Sequence, residues 1–384
     1  MRFEFATAGR ILFGPGVRAE AAALAAGWGR RALLVTGRDV GRAAPLLKAL
    51  EDAGLQAEVF AVGGEPTLDL AAQALKHGRA AQAEMVIGLG GGSALDTAKG
   101  VAALLANGGE PLDYAEVIGR GHAFTKPSLP FLAMPTTAGT GTEVTRNFVL
   151  ASPEHRVKVS LRGPYLLPRA ALVDPELTHG LPPDVTARTG LDALAQLIEP
   201  YLSPRANPIT DGLCREGIQR AAGALRRACG PVEDPAARQD MALASLFGGL
   251  ALANAGLGAV HGIAGPFGGM FDAPHGALCG RLLAPSLEVN LRVARTRAPR
   301  PELVGRLTTL AAWLTGDEGA APEAGIAWLQ SLCDDLGLPR LGDYGFGPAD
   351  MPDLVERAAV ASSMRANPVA LNEQEIAEIV ERAR

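Results

Sequence analysis

Aromatic residues are scarce in this chain: Phe, Trp and Tyr make up 5% of its 384 residues. So few rings leave little for stacking on nucleic-acid bases. A basic face is lacking as well, since Asp and Glu number 41 against 36 Lys and Arg, for a net charge of −5. Nucleic acid and anionic membranes both call for such a face, so neither is expected as a partner. Cysteine is limited to residues 214, 229, 279 and 333, with no CxxC or other metal-ligand spacing. In a chain of this length they read as reduced, mostly buried thiols of a cytoplasmic protein. The opening stretch MRFEFATAGRILFGPG lacks the apolar run of a signal peptide, which agrees with that location. Charge is missing altogether from Met241 to Phe271. The length raises the question of a membrane span. The abundance of Ala and Gly, with Ser245, Asn254 and His261 among them, favours a buried pair of close-packed helices instead.

What is present is enough apolar residue, 48%, to build a sizeable core. The first half alternates two patterns. RRALLVTG (30–37), QAEVFAV (56–62), AEMVIGLG (83–90) and the run around FLAMP (131–135) read as strands. RAAPLLKALEDAGL, LDLAAQALKHGRAAQ and ALDTAKGVAALLAN carry helical spacing between them. Strands alternating with helices predict parallel βαβ units. After ALVDPELTHGLPPD (171–184) almost every segment has a helical period. The expected fold is therefore α/β followed by all-helical: a dinucleotide-binding domain with a parallel sheet over 1–180, and a helical domain over 181–384.

Two small-residue loops follow strands. In GLGGGSALDTAK (88–99), Gly90, Gly91 and Gly92 let the backbone approach a pyrophosphate, and the next helix offers its N-terminal amides. Ser93 adds a hydroxyl. Asp96 is read in the helix's first turn, either favouring its dipole or standing near a cofactor. PTTAGTGTE (135–143) supplies four threonines suited to phosphate or ribose. At the end of the 30–37 strand, Gly37 leaves room where a ribose-binding carboxylate is common, and Arg38 suits the 2′-phosphate of NADP.

Only six histidines occur, and two lie in HGIAGPFGGMFDAPHG (261–276). Gly268–Gly269 and Pro274 are expected to break the helix between them, so that the chain folds back and brings His261 and His275 together. Asp192 and Gln196 in GLDALAQ share a helix face by their spacing of four. One carboxylate and two imidazoles suit Zn or Fe. A hydrogen-bonded core pair is the other reading of the same spacing.

In order along the chain, FGPG, GGGSALDTAK, PTTAGTGTEVT, LLPRAALVDPELT, TGLDALAQLIEPYLS and HGIAGPFGGMFDAPHG together resemble the iron-containing (group III) alcohol dehydrogenase family. That family belongs to the dehydroquinate-synthase-like superfamily, with the glycerol dehydrogenases. The resemblance implies a dehydroquinate-synthase-like fold with the site in the cleft between its domains. It implies NAD or NADP lined by Thr136, Thr137, Thr140 and Lys158, and a divalent metal, Fe or Zn, at the positions of Asp192, Gln196, His261 and His275. Gln196 stands where the family has histidine, and Gly265 where it has a further histidine near the nicotinamide. Asp192, His261 and His275 would be the catalytic set, acting on a small alcohol or aldehyde in a homodimer, with RILF as an exposed edge strand. The rivals are a metal-independent maleylacetate-type reductase using Arg146 and Arg162, a dehydroquinate-synthase-like lyase, and a binding protein that has lost turnover.

Overall fold

The short apolar runs of the first half become strands of one parallel sheet. The structure is a computed structural model that describes residues 2–116 and 118–384. Two units are distinct, one formed by residues 6–179 and the other by residues 180–384 with those up to Phe5.

In the first unit the strands are β1 (Ile11–Phe13), β2 (Arg31–Gly37), β3 (Gln56–Val62), β4 (Met85–Gly90), β5 (Phe131–Pro135), β6 (Asn147–Ser152), β7 (Val157–Arg162) and β8 (Ala170–Val173). The helices are α1 (Ala21–Ala26), α2 (Ala44–Asp52), α3 (Leu68–Ala80), α4 (Gly92–Asn107) and the short α5 (Pro111–Tyr114). Six strands pair in the order β1-β8-β5-β4-β2-β3, every neighbouring pair parallel. Central β4 and β5 are buried at every residue, whereas outer β3 mixes exposed, half-buried and buried residues. A strand covered on both faces needs an unbroken apolar run, and MVIGLG and FLAMP are such runs. Side chains of β2 alternate across the sheet. Leu33 and Val35 pack with Leu75, Leu95 and Val101 of α3 and α4, and Leu34 packs with Ala25, Leu46 and Leu50 of α1 and α2.

Strand β2 has β3 on one side and β4 on the other. The strand order thus reverses beside β2, so Gly37 and Gly90 end the two strands that flank the switch point, where open α/β sheets bind ligands. The antiparallel β6–β7 hairpin, pairing Asn147 with Arg162 through to Ser152 with Val157, departs from the expected βαβ alternation.

The second unit is helical among its described residues. It contains α6 (Pro183–Leu202), α7 (Pro208–Ala228), α8 (Pro235–Ala255), α9 (Ala259–Met270), α10 (His275–Arg295), α11 (Pro301–Thr315), α12 (Pro322–Asp335), α13 (Met351–Val360) and α14 (Glu373–Ala383). Local signals set the starts. Asn207 caps α7 by accepting from the amides of Ile209 and Thr210, and Asp234 caps α8 by accepting from Ala237. Residues 190–203 of α6 and its end are buried without exception, so α6 is the spine of this unit. Among the described residues no single helix is long and apolar enough to cross a membrane; the uncharged run forms most of α8 and α9, bent by 99°.

Two expectations need correction. Helix α9 does not break at Gly268–Gly269 but runs through both, and through Pro266, to Met270. Each glycine costs a helix about 1 kcal/mol. Buried Phe267, packed on Phe271 and Phe346, offsets that cost. The chain turns instead at 271–274. Asp96 is not in the first turn of α4, because that helix already begins at Gly92.

Candidate functional site

A helix buried on all sides should be apolar, yet α6 carries Asp192, Gln196 and Glu199 among its buried residues. Their spacing of four and three puts them on one face. Buried polar groups need partners, and two further helices bring them. Helix α9 presents His261 from its first turn, and α10 presents His275 at its first residue with Cys279 one turn later.

The donor atoms converge. Oδ1 of Asp192 is 3.4 Å from Nε2 of His261 and 3.9 Å from Nε2 of His275. Sγ of Cys279 is 3.7 Å from the former nitrogen and 3.6 Å from the latter. One ligand atom from each of these four residues lies within 4.8 Å of all the others. The two carboxylate–imidazole separations exceed those of good hydrogen bonds, and the two sulfur contacts have the length of weak thiol–imidazole hydrogen bonds. Oδ1 of Asp192 and Oε1 of Gln196 are both buried without a hydrogen-bond partner. The set therefore fits a divalent cation: anionic oxygen, two imidazole nitrogens and sulfur, facing a common point.

The supporting contacts are good hydrogen bonds. Nδ1 of His261 lies 2.6 Å from Oε2 of Glu199, whose other oxygen accepts from the amide of Val260 at 2.7 Å. With Nδ1 held by Glu199, it is Nε2 that faces the cluster, the usual arrangement of a carboxylate behind a metal-binding imidazole. The amide of Ala259 is held by Oδ1 of Asn367 at 3.1 Å, so Glu199 and Asn367 together cap α9, whose N-cap residue Gly258 has no side chain to do so. Gly276 makes the approach of α10 possible. A Cβ there would collide with the carbonyl oxygen of Arg188 on α6 and stand 3.2 Å from the Cβ of Asp192.

The electrostatics favour positive charge at this point. Burial opposes ionisation of Asp192, but the neighbouring imidazoles of His261 and His275 hold its carboxyl below the ordinary value. Burial likewise opposes the imidazolium of His261, yet Cys279, Glu199 and Asp192 keep its pKa well above the ordinary value. Burial pushes the Cys279 thiol up to about 12.

Of the residues singled out in the sequence, Asp192, His261 and His275 are brought together. Gln196, one turn beyond Asp192 on α6, adjoins them with its buried Oε1 lacking a hydrogen-bond partner. At Gly265 a Cβ would meet nothing within 4 Å, so the missing histidine leaves open space. The sequence reading missed Cys279 and Glu199. The signals were there: Cys279 stands four residues after His275, and Glu199 seven after Asp192.

In the α/β unit the two small-residue loops meet. The amide of Thr136 donates to the Gly90 carbonyl at 2.9 Å. A Cβ on Gly91 would stand 3.2 Å from Cγ2 of Thr137, and one on Gly92 would stand 2.6 Å from Cγ2 of Thr140. No side chain caps α4, whose N-cap is Gly91, so Ser93 lies inside the helix rather than at its cap. An uncapped helix start beside glycines and threonines fits a pyrophosphate. Asp96 is held inside the unit, accepting from Oγ1 of Thr142 and the amide of Val149, each at 2.9 Å. One turn on, buried Lys99 donates to the carbonyls of Thr142, Thr145 and Asn147 at 2.7–2.8 Å and lies 2.9 Å from Oγ1 of Thr145. Asp96 and Lys99 thus brace the chain just after the threonine loop. Lys158 on β7 pairs with Glu65 at 2.7 Å, and Nε of Arg38 donates to the Gly63 carbonyl at 3.1 Å.

Comparison with known proteins follows this geometry. The iron-containing alcohol dehydrogenase family profile matches residues 8–175, and the profile of the family's C-terminal part matches residues 186–384. The chain is 36% identical over 363 residues to 1,3-propanediol dehydrogenase of Klebsiella pneumoniae, with 92% of each protein covered. It is 34% identical over 360 residues to alcohol dehydrogenase 4 of Saccharomyces cerevisiae, covering 92% of this chain and 91% of that one. A crystal structure of a 1,3-propanediol oxidoreductase superposes with a TM-score of 0.91 at 32% identity, covering 100% of both chains.

Proposed function

We propose, from the premise that this chain belongs to the iron-containing alcohol dehydrogenase family, that its substrate is a small primary alcohol or diol, or the matching aldehyde, and that Asp192, His261 and His275 hold the catalytic metal. The activity is NAD(P)-dependent oxidoreduction at a CH–OH group. The named activities of the relatives speak against the maleylacetate-type and lyase readings.

When bound, the cation supplies Lewis-acid polarisation of the substrate oxygen, and NAD or NADP supplies hydride exchange. The chain's own residues do the positioning. Glu199 fixes the ring of His261 so that Nε2 serves as a donor. Gln196 steadies the carboxylate of Asp192. Gly265 cannot carry a proton, so the proton leaving the alcohol would pass to water or to a ribose hydroxyl of the cofactor. Gly90, Gly91, Gly92 and Ser93 hold the pyrophosphate, Gly37 leaves room for the adenosine ribose, and Thr136, Thr137, Thr140 and Lys158 line the cofactor. Asp96 acts by holding the threonine loop in place. Gly37 followed by Arg38 supports acceptance of NADP alongside NAD. Strand β1 is the sheet's edge. We assign it to pairing between two copies in a cytoplasmic homodimer.

One observation carries the metal assignment: the Asp192 carboxylate oxygen, buried and without a hydrogen-bond partner, faces two imidazole nitrogens. The test is elemental analysis of the purified protein with a panel of short alcohols and diols read by cofactor reduction. Bound metal and alcohol-dependent reduction are expected together, and both should disappear in Asp192→Ala. Full activity after exhaustive chelation would overturn the assignment.

A further inference from the structure

Gln196 occupies the position where the family resemblance implies a third imidazole. An amide oxygen is a weak donor for zinc or iron. The replacement leaves the donor set one strong ligand short, and the structure supplies a different one from another helix.

We propose that Cys279 is the fourth metal ligand of this chain, so that the site is an Asp-His-His-Cys set selective for zinc-like ions over iron. The inference rests on the metal assignment to Asp192, His261 and His275 and deepens it. A tetrahedral ion with bonds of about 2.0 Å to nitrogen and oxygen and about 2.3 Å to sulfur has edges of about 3.3–3.6 Å. The four edges given by the structure are 3.4 Å and 3.9 Å from Asp192 to the two imidazoles, and 3.7 Å and 3.6 Å from Cys279 to the same two. The sulfur is thus as well placed as the carboxylate. Cys279 is fully buried. It lies one helical turn beyond His275, so the element that delivers the imidazole delivers the thiol. A second observation points to the same ion: Oδ1 of Asp192, on a residue 3% exposed, has no hydrogen-bond partner.

Metal binding converts the thiol to a thiolate, and its proton is released to solvent. Thiolate is a soft donor, and with two imidazoles it selects zinc or cobalt rather than iron, which oxygen-rich sets accept more readily. Catalytic zinc can expand to five ligands in the transition state, and that expansion is what a four-donor set would need in order to admit the alcohol oxygen.

The test uses full-length protein freed of metal and reloaded with Co(II), a coloured substitute for zinc. The wild type should show visible ligand-field bands together with a near-ultraviolet sulfur-to-cobalt charge-transfer band. Cys279→Ser should lose the charge-transfer band and weaken zinc binding by more than the roughly 10–100-fold that loss of a supporting outer partner costs. Cys279→His should lose that band but recover tight binding, because it restores an imidazole. If Cys279→Ser does not fold, the wild-type spectrum decides alone. Ligand-field bands without a charge-transfer band would overturn the Cys279 assignment and leave the metal site standing. Absence of cobalt binding would overturn both.

Discussion

Glu199 on α6 and His261 on α9, 62 residues apart in the chain, meet in one buried hydrogen bond: Nδ1 of the ring lies 2.6 Å from Oε2 of the carboxylate. The bond fixes which nitrogen faces Asp192. Glu199→Gln removes the charge and keeps the shape, and it should weaken metal affinity by about 10–100-fold. Competition with a chromogenic chelator measures this; unchanged affinity would show that Glu199 serves only the start of α9.

Gly276 sets how closely α10 approaches α6. Adding one methyl forces a clash with the Arg188 carbonyl and crowds Asp192. Gly276→Ala should lower stability by about 1–3 kcal/mol, the usual cost of overpacking. It should also reduce metal retention, since His275 and Cys279 move with the helix. Urea unfolding and metal content after dialysis check both effects, and a variant with full metal content would show that the helix yields without moving the donors.

Gly92 and Thr140 bring the two cofactor loops together. A Cβ at Gly92 would stand 2.6 Å from Cγ2 of Thr140. Gly92→Ala should raise the KM for the nicotinamide cofactor by about tenfold, equivalent to about 1.4 kcal/mol. Adding Thr140→Ser, which removes the Cγ2 methyl, should recover part of the loss. Steady-state kinetics with cofactor varied at saturating alcohol separates this from a loss of kcat.

Glu143, fully buried behind the threonine loop, has its carboxyl pushed up to about 7 by burial, which its own backbone amide and Lys99 only partly oppose. The folded chain therefore keeps a proton on this group between about pH 4.5 and 7 that the unfolded chain releases. Its contribution to stability is full below that window and is lost as pH rises through it. Glu143→Gln removes this dependence, so the variant should gain stability over wild type between pH 5 and 8, by up to about 3 kcal/mol. Melting curves across that range decide; a constant difference would exclude the mechanism.

Much of the architecture is legible locally. Runs such as MVIGLG and FLAMP are too apolar for a strand with a wet face, and they become the two central strands. Helix starts at Asn207 and Asp234 follow from cap residues. The β6–β7 hairpin was not legible, because its strands carry both polar and apolar residues and their pairing is not a local property. Gly268 and Gly269 misled for a related reason. Their intrinsic cost is local, but the packing around Phe267 that overrides it comes from elsewhere in the fold.

The candidate site divides in the same way. Asp192, His261 and His275 are identifiable in the sequence because their residue types and ordered motifs advertise metal chemistry. Cys279 looked inert because no second cysteine stands nearby in the chain, and Glu199 looked like any helical carboxylate. Their roles depend on which faces of α6, α9 and α10 meet. The sequence alone determined the order of strands and helices, the glycine and threonine loops and three of the donors, because these depend on residue type and short spacing. Only the tertiary structure decided that a thiol lies beside the carboxylate and the two imidazoles and that a carboxylate stands behind His261, because burial and convergence are set by packing among residues far apart in the chain.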